Sequence, residues 1–109
     1  MAPDDRIEIL RALAEAEPAD ATTQFLLGRE LLTAGRAGEA VDAFRAAITA
    51  QPDYAAAYRQ LGNALEQAGR IEEAVTVYRD GIAVAERTHD LQAGKEMNAF
   101  LKRIARGGA

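Results

Sequence analysis

The chain has 109 residues, a formal net charge of −4, 49% hydrophobic residues and 28% charged residues, a composition typical of one folded domain and not of a disordered chain. It contains no cysteine, which excludes disulfides and cysteine-bound metals, and its single histidine, His89, cannot form a histidine metal cluster. The acidic balance offers no basic field for nucleic acid, and neither a secretory signal nor a long apolar run is recognisable, so we expect a cytoplasmic protein with no membrane span.

The first predicted element is a helix over residues 4–17. Ile7 and Leu10 belong to an apolar stripe at helical spacing, and a proline at position 18 disfavours helix at the residue before it. Pro18 precedes Pro52 by the same interval at which the sequence repeats itself further on. We therefore expect this segment to be the second helix of an incomplete repeat that caps the N-terminal end of the domain.

Two copies of one repeat follow this helix. Residues 21–54 match residues 55–88 at twelve identical positions when residue 21 is aligned with residue 55. The identities cluster at glycines and at apolar positions with helical spacing, which is typical of a structural repeat. Small residues, Gly28 and Gly62, leave room for two helices to approach within about 8–10 Å. The sequence therefore predicts repeat 1 over 21–54 and repeat 2 over 55–88.

Each copy is predicted to form two helices joined by a tight turn. Gly35 and Gly69 are expected to end the first helices, because a helix C-terminus often needs left-handed backbone that glycine adopts without strain. Pro52 is expected to stop the second helix of repeat 1 near Ala50, since proline lacks an N–H and restricts the residue before it.

The last predicted element is a closing helix over residues 89–105, begun near His89 or Asp90. Residues 106–109 are expected to form a flexible tail. Together with the N-terminal helix, the closing helix completes a stack of about six helices, which is close to the smallest array in which repeat units bury one another's faces.

The charges of the chain are polarised between its two ends. Acidic residues outnumber basic ones in residues 1–20, and basic residues outnumber acidic ones in residues 89–109. Three basic side chains near the last helix end are too few for a phosphate-binding footprint. They are interpreted as cations that a helix C-terminus favours: Lys102, Arg103 and Arg106.

The residues of the two copies resemble the tetratricopeptide repeat. The resemblance rests on a Leu-Gly pair in each first helix and an alanine four residues before an aromatic residue in each second helix: Leu27-Gly28 with Ala40 and Phe44, and Leu61-Gly62 with Ala74 and Tyr78. The chain departs from the family at Gln24, at Gly81, and at Glu86, where the first copy has a proline. The resemblance implies an all-α fold, a right-handed α-solenoid of antiparallel helix hairpins.

In this family the first helices line a concave groove that binds partner peptides. Carried onto this chain at about 100° of rotation per residue, the resemblance implies a groove lined by Phe25, Arg29, Leu32, Arg59, Asn63, Glu66, Gln67, Met97 and Phe100. Such a groove is apolar at its two ends, with arginines and amides between them. It suits a peptide anchored by apolar side chains and oriented by hydrogen bonds or a carboxylate. The implied function is an adaptor without cofactor or metal.

Several groove residues also have a purely structural interpretation. Phe25 packs, in that alternative, against the helix at the start of the chain, and Met97 and Phe100 cap the stack. Arg29 and Arg59 are then ordinary surface arginines whose partners include Glu30 and Glu66. These alternatives stay open at the level of sequence.

The sequence bears on two other classes of function. Catalysis lacks support, because the adjacent acids at 4–5 and 72–73 are typical first-turn charges and the glycines at 107–108 form no phosphate loop. Self-association as a homodimer is the alternative function, since four large apolar groups on the closing helix exceed what one neighbouring helix covers: Met97, Phe100, Leu101 and Ile104.

Overall fold

The computed structural model describes residues 1–107 and contains six α-helices in that range. They are α1 (Pro3–Ala16), α2 (Ala21–Thr33), α3 (Ala37–Ala50), α4 (Ala55–Gln67), α5 (Ile71–Thr88) and α6 (Leu91–Ala105). The prediction of an all-α helical repeat is confirmed. The predicted tail of residues 106–109 lies partly outside the described residues; its first two residues form a turn after α6.

Helices α2 and α3 form one hairpin, and α4 and α5 form a second. Small residues allow the two helices of each hairpin to approach closely. A Cβ atom added to Gly62 would overlap the ring of Tyr78, and one added to Gly28 would lie only 2.5 Å from the ring of Phe44. Each glycine therefore lets an aromatic ring of the second helix lie directly on the backbone of the first. Gly69 supplies the left-handed turn between α4 and α5 (φ 77°).

The first helices of successive hairpins lie on the inner side of a curved stack. The backbone of α2 approaches that of α4, and α4 approaches α6, whereas α1, α3 and α5 have no such approach to one another within residues 1–107. The closer spacing of α2, α4 and α6 makes their side concave. The core runs through the whole stack between the two rows of helices, and its largest fully buried side chains are Ile7, Leu31, Val41, Phe44, Leu65, Tyr78 and Met97.

The period changes between the second hairpin and the closing helix. The period that separates α2 from α4 would start the next helix at residue 89, but α6 starts at Leu91 because α5 extends to 18 residues, against 14 for α3. In this register Met97 occupies the place of Leu61, a core position, and is fully buried. The assignment of Met97 to an accessible groove is thus wrong: carrying the period of the two repeats onto α6 places it on the wrong side of that helix.

Candidate functional site

The candidate site is the concave wall formed by α2, α4 and α6. Two of the predicted groove residues, Arg29 and Gln67, are exposed there. Six more are partly buried and lie at the junctions between helices: Phe25, Leu32, Arg59, Asn63, Glu66 and Phe100. Their role in binding stays a prediction, and the contacts they make within the chain show what the wall offers to a ligand.

An ion pair joins α4 to the second turn of α6. Nη1 of Arg59 lies 3.1 and 3.0 Å from the two carboxylate oxygens of Glu96, and the amide of Gln92 donates to the same carboxylate at 3.1 Å. The arginine side chain is 24% exposed and the glutamate side chain 31%. The pair is therefore shielded from solvent more than an ordinary surface pair and holds Arg59 in one orientation.

A second polar cluster lies near the end of α4. The Tyr78 hydroxyl lies 2.7 Å from Oδ1 of Asn63 and 2.5 Å from Oε2 of Glu66. The same glutamate pairs with Arg103 at 2.8 Å, and its side chain is only 14% exposed. Burial first, and then the hydrogen bond to Glu66, raise the pKa of Tyr78 far above its usual range. The hydroxyl thus stays protonated and tethers the inner wall to the core.

The α2 end of the wall is aromatic. Phe25 stacks on Tyr54 with ring centroids 5.0 Å apart and meets Phe44 edge-on at 5.7 Å. Burial raises the pKa of Tyr54, and the positive charge of Arg29 partly opposes that rise. Arg29 is exposed on the same helix as Phe25, so its positive charge acts near this aromatic end of the wall.

These contacts bear on the structural alternatives that stay open at the level of sequence. Phe25 packs on Tyr54 and on Phe44. Arg59 pairs with Glu96 and not with Glu66. Phe100 lies 5.3 Å from the ring of Tyr78, which supports a capping role for it.

Sequence reasoning missed the partners on α6. Glu96 and Arg103 each lie 37 residues after the α4 residue that they contact. That common spacing would have revealed both pairs had the shifted register of α6 been recognised. Tyr54 was missed because it stands in the loop position before α4, where no helical pattern marks it.

Neither a metal-binding cluster nor a membrane-spanning helix is found in the described part of the chain. No group of three metal-ligating side chains occurs among residues 1–107, and none of the six helices is long and apolar enough to cross a membrane. Several clefts lie away from the inner wall. One of about 450 Å³ opens between α1, α2 and α3 and is lined by both charges and core residues, including Arg11, Leu27 and Asp42.

Known proteins share this architecture. A family model described as tetratricopeptide repeat matches residues 7–53 and 25–87. The structure of MamA from MSR-1 is similar with a TM-score of 0.75 and 31% identity over 79% of this chain and 49% of that one. The solution structure of protein BPP2914 from Bordetella parapertussis is similar with a TM-score of 0.80 and 30% identity over 93% and 88%.

A tetratricopeptide repeat domain protein from Salinibacter ruber is also similar, with a TM-score of 0.71 and 27% identity over 77% of this chain and 93% of that chain. The chain spans about half the length of the MamA structures. No curated protein sequence matches it.

Proposed function

The chain belongs to the tetratricopeptide repeat family, and from that premise we propose that it is a non-catalytic protein–protein interaction module that binds a peptide segment of a partner in its concave groove. The family consists generally of interaction modules, and the described residues carry no constellation that would support catalysis. A protein ligand is favoured over nucleic acid because the chain is acidic overall.

The observation that carries the proposal is the arrangement around Asn63. Its side-chain oxygen lies against Tyr78, while its amide nitrogen has no partner among residues 1–107. Since no buried side-chain nitrogen or oxygen in that range lacks a partner, this nitrogen reaches the surface. It offers donors to a peptide carbonyl between the ion pairs that hold Arg59 and Glu66 in place.

The neighbouring side chains suggest the chemistry of the peptide. Arg29 is an exposed cation about one helical turn after Phe25 on α2, and it would attract an acidic residue or a C-terminal carboxylate. Leu32 and Phe25 are partly buried on the same helix and offer an apolar floor. We therefore expect a short segment with one apolar anchor next to an acidic group, bound mainly through α2 and α4.

The test uses exposed groove residues, because variants at Arg59 or Asn63 would also break contacts within the fold. Peptides selected from a random library on the wild-type chain are titrated against Arg29→Glu and Gln67→Glu. We expect each variant to weaken binding at least about 10-fold, since like charges at an interface are strongly unfavourable. Arg87→Glu on α5 is the matched control and should bind as the wild type does.

Two results would contradict the groove assignment. One is a selected peptide that binds both groove variants with unchanged affinity. The other is a library from which no peptide binds the wild-type chain more tightly than the Arg29→Glu variant. Circular dichroism of every variant separates lost binding from lost folding.

The alternative function, a homodimeric scaffold formed through an apolar face of α6, loses part of its basis. Met97 is fully buried within the chain, and Phe100 packs on Tyr78. Two of the four apolar side chains on which it depended therefore serve the fold of the chain itself. The other two, Leu101 and Ile104, line a cleft between α5 and α6 at the C-terminal end of the stack.

A further inference from the structure

The two end helices of the stack are complementary halves of one repeat. Helix α1 begins at Pro3 and α3 at Ala37, one full period apart, so α1 occupies the place of a second helix. Within residues 1–107 it packs on α2, the first helix of the next hairpin, and on no first helix of its own repeat. Helix α6 packs on α5 and α4 as α4 packs on α3 and α2, so it occupies the place of a first helix. It ends at a glycine with left-handed backbone, Gly107 (φ 73°), as α2 and α4 do.

The groove between α5 and α6 corresponds to a groove inside the stack that a second helix fills. Inside the stack, α5 lies against α4, and its residue Gly81 contacts Tyr58. The corresponding groove at the C-terminal end contains two clefts of about 360 and 180 Å³. They are lined mainly by apolar atoms, among them those of Val75, Ile82, Gly94, Leu101 and Ile104.

The N-terminal end exposes the side chains that would fill such a groove. Ile9 is 48% exposed and Leu13 53% exposed, although they occupy the places of Ala43 and Ala47, which are 5% and 0% exposed. Leu26 on the adjoining α2 is 40% exposed. Large apolar side chains thus stand uncovered at the one end of the stack where the repeat would bury them.

A ladder of ion pairs along the outer helices is left incomplete at both ends. Arg11 of α1 pairs with Glu39 of α3 at 3.1 Å, and Arg45 of α3 pairs with Glu73 of α5 at 3.3 Å, both over 28 residues.

The next arginine of the ladder, Arg79, is exposed and has no acidic partner among residues 1–107. The acid one period before Glu39 is Asp5, which is exposed and pairs with no arginine of the described chain. Within those residues the ladder therefore ends in an unpaired cation at one end of the stack and a carboxylate without an arginine at the other.

The sizes of facing side chains match as well. Inside the stack, the backbone of Gly81 on the second helix lies against Cβ of Tyr58 on the first helix and against the side chain of Met97 on α6. At the ends of the stack the corresponding residues are Gly94 on α6 and Leu13 on α1, so the large and small partners are exchanged. A Cβ added to Gly94 would contact only Ala85, at 3.5 Å, which leaves open space above this glycine.

From these observations we propose that a second copy of this chain covers each end: copies associate head to tail, with α1 of one copy in the α5–α6 groove of the next and with Arg79 paired to Asp5. The acidic N-terminal segment then faces the basic C-terminal helix. This contact is separate from the concave groove, and it joins two different surfaces. A contact between two different surfaces does not close at two subunits. It gives a closed ring, or an open assembly whose size grows with concentration.

Charge exchange on the full chain tests the proposal by sedimentation velocity over a range of concentrations. Arg79→Glu places two acids together, and Asp5→Arg places two arginines together, so each variant alone should raise the self-association Kd at least about 10-fold. In an equimolar mixture, each variant can contact the other through an acid and an arginine. The mixture should therefore assemble at concentrations at which neither variant assembles alone. Asp53→Arg, an equal change of charge in an exposed loop, is the matched control.

A second variant tests the apolar part of the contact. Leu13→Asp should abolish assembly by placing a carboxylate in the apolar groove, while its melting temperature as a monomer stays close to that of the wild type because Leu13 is exposed. The proposal is overturned by a wild type that stays monomeric at high concentration. It is equally overturned by a dimer that does not grow with concentration, or by variants whose mixture fails to assemble.

Discussion

The ring of Tyr78 occupies the space that a side chain at Gly62 would need. A Cβ there would overlap the ring, and the ring cannot retreat, because Tyr78 is fully buried and its hydroxyl is held by Asn63 and Glu66. We expect Gly62→Ala to lower the free energy of unfolding by about 1–3 kcal/mol through overpacking, despite the better helix propensity of alanine. Urea unfolding measures the change.

Gly38→Ala is the control for that substitution at the same scale. Gly38 lies in the first turn of α3, and nothing lies within 4 Å of an added Cβ. Here alanine should stabilise the chain by about 0.5–1 kcal/mol, since it lowers the backbone entropy lost on folding. If the two substitutions had the same sign, the close approach of Tyr78 would not explain the glycine at position 62.

At the level of helices, sequence periodicity predicted α2 to α5 because each copy carries its own turn signals. Pro52 ends α3 at Ala50, but Glu86 stands at the corresponding place in the second copy, so nothing stops α5 there and it continues to Thr88. The register of α6 shifts as a result. The ion pairs that α6 makes with Arg59 and Glu66 depend on that shift, and a constant offset between copies of the sequence could not reveal them.

Helix α5 is followed by a residue with an unfavourable backbone conformation. His89 takes left-handed backbone (φ 59°), the only described residue other than glycine with a positive φ. We expect His89→Gly to stabilise the chain by about 1 kcal/mol, because glycine adopts this conformation without the penalty of a Cβ. Gly69→Ala, at the corresponding end of α4 (φ 77°), should destabilise it by a similar amount. Thermal melts of both variants check the pair, and a melting temperature lowered by His89→Gly would contradict the explanation.

On the scale of the whole molecule, the stack is held together only by contacts between neighbours. The backbone of α1 packs on α2 alone, whereas α4 packs on α2, α3, α5 and α6. In such quasi-one-dimensional arrays, stability is approximately a sum of local terms and nearest-neighbour contacts. The ends therefore open more readily than the middle, and this gradient is a property of the architecture and not of any single residue.

Native-state hydrogen exchange should show this gradient directly. In monomeric protein at low concentration, we expect the amides of α1 to exchange fastest among the helices, those of α6 next, and those of α3 and α4 slowest, near the limit of global unfolding. Equal protection of α1 and α4 would contradict the nearest-neighbour account. Raising the concentration adds a second criterion: if copies cover one another's ends, protection should rise in α1 and α6 while the amides of α3 and α4 change little. Leu13→Asp is the control, because it should keep the monomer's pattern at every concentration.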